Sequence, residues 1–247
     1  MKIGFIGAGE IGGTLIRQYT SAGHSVKMAN SSGSEKLKSL ASQTGASPVI
    51  ITDVASDVDV LVISIPMNAI PNLPKDLFKN ASANLTIIDT GNYYPLRDGI
   101  IKDIEEGTPE SVWVSNQIQR PVIKAYNNIL YRSLVNSGRP KGDAARIALP
   151  ISGDDSRSKE FTSMLVADSG FDSLTYGPLQ DSWKQQPGSP VYCTDLNLIQ
   201  LGKSLEKANK NLLPERRDLG LKYILNHDPE PWMNIVNYNR TIYESEL

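Results

Sequence analysis

The sequence predicts an α/β fold: a Rossmann-type, doubly wound, mainly parallel sheet with a smaller, mostly helical C-terminal part. Three observations predict it. Short apolar runs alternate with helix-patterned segments as far as Thr175, which is the signature of βαβ units. The run Asp59 to Ile65 is apolar almost throughout, as a central parallel strand covered on both faces must be. Glycines at 7, 9 and 12 separate the first apolar run from an amphipathic helix.

Lys2 to Ile6 reads as the first strand, and Glu10 to Ala22 as a helix with Ile11, Leu15, Ile16 and Tyr19 at helical spacing. Gly23 stands where a helix ends in a left-handed residue. His24 to Ala29 is the second strand, Asn30 to Gly33 a polar turn, and Ser34 to Thr44 a helix closed by Gly45. Val49 to Ile51, Asp59 to Ile65 and Leu85 to Asp89 follow as strands, with Pro66 closing the middle one. Val122 to Ala125 is the next strand, and a helix follows near Ile129 to Asn136. Arg146 to Ile151, the helix Ser156 to Ser169 and the strand Phe171 to Thr175 complete this part. After Gly177 the texture changes to a proline-bearing polar loop, Pro178 to Pro190. Helical stretches follow over Thr194 to Asn211 and Pro214 to Asn226, and His227 to Leu247 has no clear period. The division expected is residues 1–176, carrying the ligand, and 177–247, covering the site or forming a dimer contact.

Composition excludes several classes. With 25 basic and 27 acidic residues the chain has no long-range field for nucleic acid or an anionic membrane. A single cysteine, Cys193, allows no intrachain disulfide. No segment approaches the roughly 18 apolar residues of a membrane span, and Ile3 to Ile6 is too short for the core of a signal peptide. The expectation is a cytoplasmic protein with neither nucleic-acid nor membrane partner.

The turn Gly7-Ala8-Gly9-Glu10-Ile11-Gly12 has the context a dinucleotide site needs. Gly7 permits the tight turn, Gly9 lets backbone approach a pyrophosphate, and Gly12 lets helix and strand pack closely. The helix start presents free N–H groups and a positive dipole end to the anion. Glu10 should face solvent, because a carboxylate against the pyrophosphate would repel it. The second strand ends in Asn30, Ser31 and Ser32, with no acid before Glu35. An acid there would hold the ribose 2′-OH of NAD, and its absence together with neutral donors favours NADP(H). The same side chains also suit capping of the helix near Ser34.

In open α/β sheets, ligands sit beyond the carboxyl ends of the strands. Ser64-Ile65-Pro66 ends the fourth strand, Asp89 to Tyr94 with Thr90 the fifth, and Ala125 to Asn128 with Asn127 the sixth. Their amides, hydroxyls and carboxamides suit a cofactor's ribose and amide, although Asp89 and Asn92 also suit plain turn bonding. Two histidines and one cysteine form no metal-ligand cluster. His24 begins a strand at the opposite sheet edge and reads as structural, and His227 as a surface turn residue. Cys193 reads as a small buried hydrophobe. No side chain declares itself as a catalytic acid.

These residues carry a family resemblance. Ile3 to Gly12, Asn30-Ser31, Ser64-Ile65-Pro66, Lys124 to Asn128 and Gly153-Asp154-Asp155 resemble the NADP-dependent oxidoreductases that use the deazaflavin coenzyme (factor 420). The same module resembles the NADPH domain of STEAP-type metalloreductases. Asp89 to Pro95 and Ser182 to Gly188 resemble a bacterial dinucleotide-binding subgroup. The resemblance covers residues 1–176. It implies that Gly7, Gly9, Gly12, Asn30, Ser31, Ser64 and Pro66 touch NADP and that Asn127 lies near the nicotinamide. It also implies a homodimer and direct hydride transfer to a flavin-like ring. Ser32 stands where the archaeal pattern has arginine, and the tail Asp181 to Leu247 is longer.

The function expected is hydride transfer between NADP(H) and a small-molecule acceptor, a deazaflavin, flavin or quinone. Face-to-face positioning of two rings supplies most of that chemistry. Two alternatives stand beside it. One is a reductase of a small carbonyl or imine, with Tyr93, Tyr94, Tyr126 or Lys124 as proton donor. The other is a non-catalytic NADP(H) sensor. Trp183, Tyr192, Trp232 and Tyr238 either wall the acceptor pocket or pack the tail.

Overall fold

The computed structural model describes residues 1–30 and 37–244. The strands are β1 (Lys2–Ile6), β2 (Ser25–Ala29), β3 (Ser47–Pro48), β4 (Val60–Ile63), β5 (Thr86–Asp89), β6 (Ile123–Lys124), β7 (Ala148–Ile151) and β8 (Asp172–Thr175). The helices are α1 (Glu10–Ser21), α2 (Lys38–Thr44), α3 (Pro95–Asp98), α4 (Lys102–Glu105), α5 (Glu110–Ile118), α6 (Tyr131–Asn136), α7 (Ser156–Asp168), α8 (Leu198–Glu206), α9 (Leu213–Asn226) and α10 (Met233–Glu244).

Six parallel strands pair in the order β3-β2-β1-β4-β5-β6, the doubly wound Rossmann order, so the chain reverses direction of winding between β1 and β4. The apolar runs are continuous because alternate residues serve two cores. Ile3 and Phe5 of β1 pack with Val60 and Val62 of β4 against Leu15, Ile16 and Tyr19 of α1. Ile6, Leu61 and Ile63 face the other way, toward Met67, Trp113 and Val114. A side chain on Gly4 would meet the Val54 carbonyl at 2.3 Å, so the second layer rests directly on the backbone of β1.

Three elements differ from the sequence reading. The third strand lies at Ser47–Pro48, not at Val49 to Ile51, and Ile51–Asp53 is a 3₁₀ turn. Val49 and Ile51 are apolar because they pack on the second core, which mimics a strand pattern. β7 and β8 form a separate parallel pair, joined to the main sheet by one antiparallel bridge, Lys124 to Ser152. With only two residues in β6, the main sheet offers too short an edge to take them. The tail read as aperiodic holds α10, whose buried positions are Ile235, Val236 and Asn239. A polar residue at a core position hid the period: the Asn239 amide donates to the Cys193 carbonyl at 3.3 Å.

The segment after β8 is laced to the sheet by several hydrogen bonds, among them the Asn128 amide to the Val191 carbonyl at 3.1 Å and the Cys193 amide to the Asn128 carbonyl at 2.8 Å. Gln185 is buried; its amide nitrogen donates to Asn127 Oδ1 at 3.0 Å, and its oxygen accepts from Ser152 Oγ at 2.7 Å. α8 begins at a capping box, Asn197 with Gln200, rather than at Thr194. Leu201 and Leu205 of α8 pack on Ala148 of β7 and on Val191. No helix among the described residues is long and apolar enough to cross a membrane.

Candidate functional site

The glycine turn lies at the reversal of strand order. Gly7 has φ +96, and a Cβ there would stand 2.2 Å from the Ser64 carbonyl. Only glycine satisfies both conditions. A Cβ on Gly12 would stand 2.3 Å from the Gly7 carbonyl, so α1 presses against the turn. Gly9 is different. It caps α1 with ordinary backbone angles, φ −71 and ψ −158, makes no side-chain cap, and a Cβ there would meet nothing within 4 Å. The first turn of α1 thus has no capping side chain, and the space beside Gly9 is open. Glu10 is exposed.

A cleft of about 330 Å³ adjoins this turn. It is lined by Gly9, Glu10 and Ile11, by Ser64, Ile65 and Pro66, by Thr90, and by Asn127. Eight of the expected residues therefore share one cavity. Gly7, Ala8 and Gly12 shape the turn behind it without lining it, and Asn30 directly follows the neighbouring β2. Ser31 and Ser32, on which the choice of NADP(H) partly rested, lie outside the described residues. The cleft also takes in Gly91, Asn92, Tyr94 and Arg97 after β5, together with Tyr192 and Cys193 from the C-terminal segment. Arg97 had no signal in the sequence, because it reaches the cleft from the end of a one-turn helix, α3.

Several candidate side chains are committed elsewhere. The Asn127 amide donates to Asn92 Oδ1 at 3.0 Å and to the Gln185 carbonyl at 2.7 Å, which turns this side chain into a brace. The Tyr126 hydroxyl is held by Tyr19 at 2.6 Å and Ser169 at 3.2 Å, and Tyr93 donates to the Gly99 carbonyl at 3.2 Å. Trp183 lies beside Lys184 and Lys210, and Tyr238 stacks on Tyr223 at 3.9 Å. Of the four aromatics named for the acceptor pocket, Tyr192 alone lines the cleft. His24 pairs with Asp168 at 2.9 Å, a structural role. Cys193 is buried, and burial pushes its thiol up. Tyr126 and Cys193 both line the cleft and both have positive φ, +61 and +53, uncommon for side-chain-bearing residues.

Beneath the ends of β5 and β6 lies a cluster of buried charge the sequence did not reveal. Lys124, expected as a possible donor, is fully buried and points into it. Its ammonium stands 3.3 Å from Asp89 Oδ2 and 3.6 Å from Glu110 Oε2, and it donates to the Gly91 carbonyl. Asp89 also accepts from Ser111 Oγ at 2.6 Å and from the Gly91 amide at 2.9 Å. Burial pushes the Glu110 carboxyl up to about 7, against the pull of Lys124. A larger hollow of about 460 Å³ lies beyond Glu110, but its cations are engaged: Lys210 donates to the Gly107 carbonyl and Arg217 faces Glu105 at 3.8 Å.

Glu110 makes stability depend on pH. Its carboxyl holds a proton more tightly folded than unfolded, so the stability it contributes is complete below the ordinary value of 4.5 and is lost as pH rises through about 7. Relative to Glu110→Gln, the natural protein should lose on the order of 3 kcal/mol across that window. Urea unfolding at a series of pH values measures it, and parallel curves for the two proteins would contradict the assignment.

The strand order, the glycine turn at the winding reversal and the uncapped helix start define a Rossmann-type dinucleotide-binding domain. Residues 2–93 match the model of the sequence family described as NADP oxidoreductase, coenzyme F420-dependent. The chain is 32% identical over 92 residues to "Putative protein YjhV" of Escherichia coli (strain K12); the match spans 37% of this chain and 60% of that protein's length. A hypothetical protein, SMa0349, from Sinorhizobium meliloti superposes with a TM-score of 0.67 at 25% identity, over 80% of this chain and 95% of that one. A "putative f420 dependent nadp-reductase" from Arthrobacter sp. FB24 shares the fold, with a TM-score of 0.60 at 17% identity over 74% of this chain and 87% of that one. Among the described residues no group of three or more His, Cys, Asp or Glu could hold a metal ion.

Proposed function

We propose that the protein is an NADP(H)-dependent oxidoreductase that transfers hydride between nicotinamide and a flavin-like (deazaflavin or flavin) or quinone acceptor held in the 330 Å³ cleft. The observation that carries the reading is the open, uncapped start of α1 beside that cleft, where Gly9 leaves room for a diphosphate. The family model that residues 2–93 match and the name of the Arthrobacter neighbour support NADP and a deazaflavin as partners.

Bound NADP(H) supplies the hydride. The amides of Gly9, Glu10 and Ile11 hold the diphosphate at the positive end of the helix dipole. Asn30 follows β2, where the sequence offers no acid before Glu35, and this favours the adenosine ribose of NADP(H). Ser64, Pro66 and Thr90 border the path toward the reacting end of the cleft. Tyr192 and Cys193, brought over by the Gln185 brace, close the acceptor side and exclude water. A second reading, reduction of a small carbonyl or imine, draws support from the Tyr94 and Tyr192 hydroxyls in the same cleft.

Anaerobic NADPH oxidation, followed by absorbance against flavins, deazaflavin, quinones and small carbonyls, tests the proposal. Turnover is expected with a conjugated-ring acceptor, and NADPH should bind at least tenfold more tightly than NADH in a fluorescence titration. Tight NADPH binding with no oxidation by any acceptor would overturn the enzymatic reading and favour a sensor. Equal affinities would overturn the assignment of NADP(H).

A further inference from the structure

We propose that Tyr94 is the catalytic proton donor to the acceptor's oxygen or nitrogen, and that Tyr192 is the positioning residue that holds it; this rests on the cleft being the site of hydride transfer. The two phenols come from distant parts of the chain, one after β5 and one from the C-terminal segment, and their hydroxyls meet at 2.6 Å. Both residues line the cleft.

Counting hydrogens shows why the pair is suited to donate. Each phenol carries one proton. The contact between them consumes one; the Tyr192 hydroxyl also hydrogen-bonds with the Cys193 thiol, which burial keeps protonated and which brings a proton of its own. One O–H is therefore left for a ligand. The direction of the shared bond follows from the charges nearby. The Arg97 guanidinium lies 5.5 Å from the centre of the Tyr94 ring and also lines the cleft, so a negative charge on Tyr94 is favoured. Tyr192 then donates to Tyr94, and the Tyr94 proton faces the ligand. Burial pushes both phenols up; the bond from Tyr192 draws Tyr94 back, whereas Tyr192 is raised further by its partner. Both stay protonated at neutral pH, the state a donor requires. The groups around Tyr94 are Tyr192, the Cys193 thiol, Arg97 with the buried Asp98 carboxylate paired to it at 2.9 Å and accepting from the Tyr94 amide at 3.0 Å, and, deeper, Glu110. No other tyrosine hydroxyl named for this role is free, since those of Tyr93 and Tyr126 are bonded within the protein.

The step balances. Hydride from NADPH forms a new bond at one end of the acceptor's conjugated system, and the displaced electron pair collects on an oxygen or nitrogen at the other end (in a quinone, the opposite carbonyl oxygen). The Tyr94 O–H bond breaks toward that atom, giving an acceptor reduced by two electrons and carrying the added proton. The phenolate is stabilised by Tyr192 and Arg97 until solvent returns a proton. The acceptor is thus of one class: a conjugated system that takes hydride at one end and carries at the other an oxygen or nitrogen able to accept a hydrogen bond and then a proton.

The test uses the full chain, NADPH and a water-soluble naphthoquinone. Tyr94→Phe should lower kcat about 100-fold, leave the Kd for NADPH unchanged, and weaken naphthoquinone binding to the enzyme–NADP⁺ complex in a fluorescence-quenching titration. Its remaining rate should fall about tenfold per pH unit between pH 6 and 8, as solution hydronium replaces the lost donor, while the unsubstituted protein stays flat relative to it. Tyr192→Phe should lower kcat about tenfold and keep the flat profile. A Tyr94→Phe variant within twofold of the unsubstituted rate, or with a parallel pH profile, overturns the inference while leaving the oxidoreductase reading intact. NADPH oxidation by no acceptor at all overturns that reading and this inference with it.

Discussion

Gly9→Asp should abolish nucleotide binding, by at least a hundredfold in Kd, while leaving the fold intact. Two features of the turn make this separation possible. The backbone at Gly9, φ −71 and ψ −158, suits any residue, and a Cβ there meets nothing within 4 Å, so the substitution imposes no strain. The carboxylate would, however, occupy the space a diphosphate needs. Two like charges about 4 Å apart repel by about 4 kcal/mol at a near-surface dielectric, which is nearly three orders of magnitude in affinity before screening. The neighbouring glycines give the opposite outcome. Gly7→Ala places a methyl 2.2 Å from the Ser64 carbonyl at φ +96, and Gly12→Ala places one 2.3 Å from the Gly7 carbonyl. Both should lose stability first and binding as a consequence. Thermal unfolding and NADPH fluorescence measured on the three variants decide the matter. Gly9→Asp binding NADPH as the natural protein does would move the phosphate site elsewhere.

Lys124→Met should cost about 3–5 kcal/mol of folding stability, a large share of the roughly 5–15 kcal/mol typical of a domain. Methionine nearly conserves volume, so the loss is electrostatic. Asp89 is 1% exposed, and without the ammonium its carboxylate keeps only Ser111 and the Gly91 amide. Glu110 loses the Lys124 ammonium at 3.6 Å, and the Gly91 carbonyl loses the donor that Lys124 supplies. Gly91 borders the cleft, so nucleotide binding should weaken as well. The triple variant Lys124→Met, Asp89→Asn, Glu110→Gln should recover much of the stability, because an ion cluster removed whole leaves no unpaired charge behind. Urea denaturation measures both. A Lys124→Met variant within 1 kcal/mol of the natural protein would show that the cluster is not held by this ammonium.

Eight expected site residues gather in one cleft because each was tied to a strand end or to the glycine turn, and parallel sheets bring such ends together. Residues outside that rule escaped. Arg97 arrives from the end of a one-turn helix, and Glu110 begins α5 with its carboxyl turned inward to Lys124. Lys124 and Asp89, read as polar residues near strand ends, face each other because β5 and β6 pair Asp89 with Lys124 in register. Asn127 lines the cleft, and its carboxamide also braces Asn92 and Gln185. Its role depends on a residue 58 positions away, beyond the reach of any local pattern.

Local chemistry alone determined the central strands β1, β2, β4 and β5 and the glycine turn. Apolar runs covered on two faces, and glycines demanded by a positive φ or by a 2.3 Å backbone approach, are properties of a few adjacent residues. The tertiary structure decided what stands opposite that turn: the Tyr94–Tyr192 pair, the Gln185 brace and the buried Asp89–Lys124–Glu110 cluster. Each joins side chains far apart in the chain, and whether a polar group is buried, paired or free is fixed only when the strands and the C-terminal segment close on one another.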